Sequence, residues 1–423
     1  MQQVVESHFE RRRRLADGKA WIPPVPLAFG LLAQGVAWAA FGMLGDASLS
    51  PWMLVWLHAM VLGWLTATSL AFLVHVLPTF TDVKLRYERL ARMSLWSYLA
   101  GVAVLLVGFA QSQTLFLVVG GWTITVSVVF FSISALRTVL DAMKSDELSV
   151  RAVARALGIT IVVLLATVVV GSLIAQMLAH GWLTSLRIVH VHAALGLVGW
   201  LAVLVVGVSA RTFNRLLGRS RSRKHVHIIV GMCAWLGLAL LLLAAATNVP
   251  LANIFGVGVL VAGAGIYGVD NVLALRSVGG AVFPRLFIAA SQIWLFVTAA
   301  LGVLALLGSQ RAFFAMLVVG IMGWIGQTAY AHIAHVGIRL IATLVLGADD
   351  TTSPKVLIDA RVATLFFIVA QATVLSALLA VFTGYAIAYR IAGDVGMMNV
   401  VLAVVFVLSA AENARRITTG GSI

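Results

Sequence analysis

The chain has 423 residues, of which 61% are hydrophobic and only 10% charged, with a formal net charge of +14. Soluble domains carry about 25% charged residues, so the composition excludes an ordinary soluble enzyme. The single cysteine, Cys233, excludes an internal disulfide and a thiolate metal cluster within one chain.

Apolar runs of about 20 residues, the length that crosses a bilayer, follow one another along the chain. The pattern predicts twelve spans, at roughly 22–44, 51–78, 92–110, 113–138, 153–178, 183–210, 226–247, 250–275, 283–308, 311–338, 358–386 and 395–413. They lack the period-two alternation of a membrane barrel, so the fold class is an all-α integral membrane protein. The first run follows a basic segment. It is too long for a signal-peptide core and has no small-residue cleavage site, so it reads as a retained span after a basic tail, residues 1–21. Residues 22–413 form one transmembrane domain, and 414–423 a short tail. There is no long polar linker.

The placement of the cations argues for topology rather than nucleic acid. Of 29 Lys and Arg, 26 lie at the termini or after even-numbered spans. Arg11–Arg14 and Lys19 precede span 1. Lys84, Arg86, Arg89 and Arg92 follow span 2, and Arg215, Arg219, Arg221, Arg223 and Lys224 follow span 6. Only Arg187, Arg311 and Arg390 fall on the other side. This positive-inside bias predicts a bacterial-type inner membrane protein with both termini cytoplasmic.

Spans 2, 6 and 10 carry a common mark. Gly63-Trp64, Gly199-Trp200 and Gly323-Trp324 recur there, and eleven residues beyond each Trp stand His75, Arg211 and His335. The chain thus reads as three units of four spans, about 22–138, 153–275 and 283–413, predicting a pseudo-threefold ring of helices. Histidines accompany the marks: His58 before Gly63, His190 and His192 before Gly199, and His332 and His335 after Gly323. An intramembrane histidine is costly and points to a functional site. At about 1.5 Å per residue, His58, His190 and His192 share one level, roughly 10 Å in from the outer end. A lone histidine also serves simply to hydrogen-bond a neighbouring helix. Three at one depth favour a shared haem or metal.

His190 and His192 point about 200° apart on a helix, so they cannot both bind one iron. One can pair with His58 in bis-His ligation while the other serves a second haem or metal. His332 and His335, at i and i+3, share a face and can clamp a metal ion, with His75 as a third ligand. Arg187, one turn before His190, suits a haem propionate; as an interfacial cation it would equally reach the headgroups. His8, His180, His225 and His227 receive no role. No Asp or Glu lies in the middle of any predicted span, which argues against a proton antiporter and a carboxylate-lined proton channel. No phosphate-binding loop, paired catalytic carboxylates or hydrolase nucleophile motif is found.

The segment Val189-His190-Val191-His192-Ala193-Ala194-Leu195 resembles the His-x-His segment of the tenth helix in haem-copper oxidases and nitric-oxide reductases. The resemblance implies a high-spin haem on His190 and a low-spin haem on His192, the latter partnered by His58 in span 2. It also implies an oxidase subunit I-like arrangement of twelve helices. The chain departs from that family in placing the motif in span 6 and in having no His-His pair for the usual copper site. Its pattern is closer to the divergent, twelve-span NnrS-type haem and copper proteins linked to nitric-oxide stress. The expected function is therefore that of a b-type haem protein, with one or two haems and copper as a further candidate, in electron transfer or O2/NO chemistry. The competing classes are a twelve-helix secondary transporter, which predicts twofold repeats of six and broken midplane helices, and a non-catalytic haem or copper sensing or assembly protein.

Overall fold

The computed structural model describes residues 24–81, 83–216, 224–276, 282–346 and 354–419. The predicted tail 1–21 lies outside them, as do Arg219, Arg221 and Arg223 and the side chains of Arg211, Arg215 and Lys224. Twelve helices are long and apolar enough to cross a membrane, and no strand occurs among the described residues. We number them α1 (Val25–Gly42), α2 (Pro51–Thr81), α3 (Glu88–Ala110), α4 (Thr114–Ala142), α5 (Val150–Ala179), α6 (Arg187–Ala210), α7 (His225–Thr247), α8 (Pro250–Leu275), α9 (Val282–Leu306), α10 (Gln310–Ala342), α11 (Ala360–Thr383) and α12 (Ala386–Thr418). The chain is a multi-pass membrane protein, and its outward apolar side chains face lipid.

Local chemistry fixes several helix ends. Ser50 accepts from the Met53 amide at 3.2 Å, with Pro51 in the first turn of α2. Ser309 caps α10 and Asp359 caps α11 in the same way. Gly384, with φ of 72°, stops α11 in the left-handed conformation that glycine adopts without penalty.

The predicted spans agree with these helices to within a few residues, except the last. The hydropathy pattern puts the start of that run at 395, after Arg390 and Asp394. The helix begins at Ala386, since Tyr389, Ala392, Gly393 and Gly396 are buried against the bundle. A Cβ at Gly393 would lie 2.9 Å from the Gly42 Cα, and one at Gly396 only 2.1 Å from the Trp38 ring. These glycines let α12 lie directly on α1. At the other end α12 runs on to Thr418, so the first half of the expected C-terminal tail is helix.

Consecutive helices pack as neighbours, and α12 closes on α1. α2, α6 and α10 are tied to one another. The Trp200 Nε1–H donates to Thr66 Oγ1 at 2.9 Å, the Trp64 ring lies 5.1 Å from Tyr330, and Thr212 Oγ1 shares a 2.8 Å hydrogen bond with His332 Nε2. α2 and α10 are the most enclosed helices and α7 the least.

Each of these three helices widens into a π-helical turn at its Gly-Trp pair: Ala59–Thr66, Ala194–Ala202 and Val319–Gly326. Such i→i+5 turns are rare and recur at functional sites. The three glycines also do the same work. A Cβ at Gly63 would lie 2.5 Å from Ala33 of α1, one at Gly199 2.7 Å from Val163 of α5, and one at Gly323 2.7 Å from Trp294 of α9. In all three places a glycine brings a marked helix against the helix that precedes it.

Candidate functional site

His58 ends the first α-helical stretch of α2, just before its π turn, and His192 lies two residues before the π turn of α6. The fold brings these two half-buried side chains together. Their rings are nearly parallel, at 15°, with centroids 6.4 Å apart. Each ring is held through Nδ1, which donates to a backbone carbonyl: Leu54 at 2.8 Å for His58, and Thr167 of α5 at 3.0 Å for His192. With Nδ1–H fixed as donor, the Nε2 lone pair is left for a ligand bond. Among the described residues neither Nε2 has a hydrogen-bond partner.

The walls of the pair are apolar and close. Phe109, at the end of α3, lies 4.6 Å from the His58 ring. Gly171 of α5 lies against His192, where a Cβ would approach Cε1 to 2.8 Å.

The chemistry and spacing of this pair suit one shared metal centre. Metal–imidazole bonds run about 2 Å, so two rings on opposite sides of one ion place their nitrogens roughly 4 Å apart and their centroids roughly 6 Å apart. The donor atom and tautomer of each ring are those of an axial ligand, and the 6.4 Å between centroids is of the size one shared ion would need.

The other expected ligands lie elsewhere. His190 is exposed, turned away from the pair as its two-residue offset from His192 requires. Arg187, the first residue of α6, is exposed as well. The inner trio is not assembled. Among the described residues no group of three His, Cys, Asp or Glu side chains is placed to hold a metal ion. Both ring nitrogens of His332 are engaged, Nδ1 with the Thr328 carbonyl at 2.8 Å and Nε2 with Thr212. The expectation for His75, His332 and His335 assumed a regular α-helix. Instead Ile333–Gly337 is a second π-helical turn of α10, so the spacing of 3.6 residues per turn on which the expectation rested does not hold there.

A buried polar group went unremarked in the sequence. Tyr330 of α10 binds Gln34 of α1 and, at 2.8 Å, Asn399 of α12. Gln371 of α11 joins Trp294 and Gln327, each at 2.9 Å. The signal was present: Gln34 and Asn399 are isolated amides within apolar runs, as informative there as a histidine.

No protein-family model matches the chain, and no curated protein is similar to it. The functional reading therefore rests on the residues themselves.

Proposed function

We propose that this protein is a b-type cytochrome of the membrane, with His58 and His192 as the two axial ligands of one haem. The parallel pair of imidazoles, 6.4 Å apart and each tied through Nδ1 to a carbonyl, carries this reading. A haem held this way supplies one-electron redox chemistry. The chain's own part is to fix both tautomers, to orient the rings through Leu54 and Thr167, and to shield one face with Phe109. Low-dielectric walls of this kind set the redox potential of a centre.

In this reading the three π-marked helices with their equivalent glycines are the second members of three four-helix units, as in an oxidase subunit I-like arrangement. The positive-inside bias puts the haem in the outer half of an inner membrane, with both termini cytoplasmic. Arg187 then lies at the level of the propionates, and His190, on the other side of α6, is free for a second haem or metal. The protein's work is electron transfer, in the class related to O2 and NO chemistry; we assign it no copper site.

The test is a reduced-minus-oxidised visible spectrum of the full-length protein in mild detergent, repeated on His58→Ala and His192→Ala. The expected result is a sharp b-type α-band in the wild type that is lost in both variants, and retained in His190→Ala. A featureless spectrum from folded wild-type protein, expressed with ample haem, would overturn the reading and bring the transporter class forward.

A further inference from the structure

A groove of about 780 Å³ opens on the flank of the bundle where α1, α10 and α12 meet. Its lining is hydrocarbon, including Leu31 and Gly35 of α1, Gly337 and Ile341 of α10, and Val404 of α12. It faces sideways, since its lining residues Leu32 and Leu408 are both exposed, at 66% and 62%. Along α1 the lining runs from Leu27 to Ala39, and along α12 from Met397 to Leu408. At about 1.5 Å per residue these stretches are roughly 18 and 16 Å long. The hydrocarbon of one leaflet is about 15 Å deep, half of a 30 Å core. The groove therefore has the length of a single leaflet.

Its two ends differ. At one end stand four exposed cations: Arg339, between the lining residues Ile338 and Leu340; Lys355, in the turn Pro354–Leu357; and Arg415 and Arg416, in the last turn of α12. Asn413 holds that turn to α12 by donating to the Leu357 carbonyl at 3.1 Å. Arg415 lies about two turns beyond Leu408, roughly 10 Å, which is the reach from the hydrocarbon edge into the headgroups. The described carboxylates at this end are Asp359, which caps α11, and Glu412, which pairs with Arg416 at 3.3 Å. Among the described residues the balance is positive.

From this we infer that the groove is a binding site for one anionic phospholipid, with an acyl chain along α1 and α12 and its phosphate toward Arg339, Lys355 and Arg415. The chain alone gives no selectivity, because lipid tails elsewhere meet equally apolar surface. The selectivity comes from the cations at the headgroup level. This site is independent of the haem reading.

Two glycines allow the groove to be filled. A Cβ at Gly35 meets only the Met397 thioether, at 3.8 Å, and one at Gly337 meets only Ile333 of its own helix, at 3.5 Å. Both are ordinary contacts, so Gly35→Leu and Gly337→Leu enter the groove without striking backbone. The full-length protein is purified from membranes containing phosphatidylglycerol and phosphatidylethanolamine, and retained lipid is counted by native mass spectrometry. One phosphatidylglycerol per chain is expected in the wild type. The double Leu variant is expected to retain about tenfold less, and Lys355→Gln with Arg415→Gln about fivefold less per cation removed. Because the Leu variant could fail to fold, the wild type is also labelled with phosphatidylglycerol bearing a photoreactive group at its chain end, and crosslinks are expected on the groove face of α1 and α12. Equal retention of the zwitterionic lipid, undiminished retention by the folded Leu variant, or crosslinks spread around the bundle would each overturn the proposal.

Discussion

Gly171 offers a test of the haem site that leaves both proposed ligands in place. A Cβ at this position would lie 2.8 Å from His192 Cε1 and 3.2 Å from Nδ1, whereas ordinary contact begins at 3.4 Å. Gly171→Ala must therefore move the ring by about 0.6 Å (3.4 less 2.8), because interiors close-packed on this scale offer no slack. Metal-ligand distances hold to within about 0.2 Å, so the shift is roughly three times what the bond tolerates. The moved ring also strains its 3.0 Å hydrogen bond to Thr167, worth about 1 kcal/mol. Loss of such support to a ligating histidine costs about 10–100-fold in affinity. The assay is haem titration of the purified protein, followed by CO addition to the reduced form. Gly171→Ala is expected to bind haem about 10–100-fold more weakly and to bind CO, because one axial bond is loosened. Gly171→Leu should lose the α-band while keeping its helical circular dichroism. Gly207→Ala, on α6 with nothing within 4 Å of its Cβ, is the control and should match the wild type. If Gly171→Ala kept wild-type affinity and excluded CO, His192 would not be an axial ligand and the argument would fail.

Three further outcomes are expected. Trp200→Phe removes the 2.9 Å bond to Thr66 that joins α6 to α2; intramembrane hydrogen bonds average about 0.6 kcal/mol, so a double-mutant cycle with Thr66→Val should show a coupling of that size, and strict additivity would refute the link. Gly396→Ala puts a methyl 2.1 Å from the buried Trp38 ring, and overpacking should cost about 3 kcal/mol, read as a lower unfolding temperature in detergent. His332→Ala should leave haem and metal content unchanged while costing about 1 kcal/mol for the lost Thr212 and Thr328 bonds; falling metal content would restore the inner site.

Hydropathy is a local property, and it located eleven of the twelve helices closely. It faltered at α12, where the burial of Tyr389 against α1 outweighs the charge of Arg390, a tertiary effect with no local signature. The recurrence of Gly-Trp picked out α2, α6 and α10, and each carries a π-helical turn at the pair. That the marks are π-helical turns, each with its glycine pressed on the preceding helix, depends on packing that no single span encodes.

The histidines divide in the same way. Sequence spacing put His58, His190 and His192 at one depth, since rise per residue is a fixed property of a helix. It left open which of the last two meets His58, because that depends on how α6 is rotated. The tertiary structure chose His192 by giving its Nδ1 the Thr167 carbonyl and its ring the space above Gly171, and left His190 exposed. The inner trio rested on 3.6 residues per turn, which the π turn at Ile333–Gly337 does not keep, and no three ligand side chains are grouped for a metal among the described residues. Sequence alone determined how many long apolar helices there are and where along each a side chain falls. Rotation, close approach and local widening of those helices decided which side chains meet.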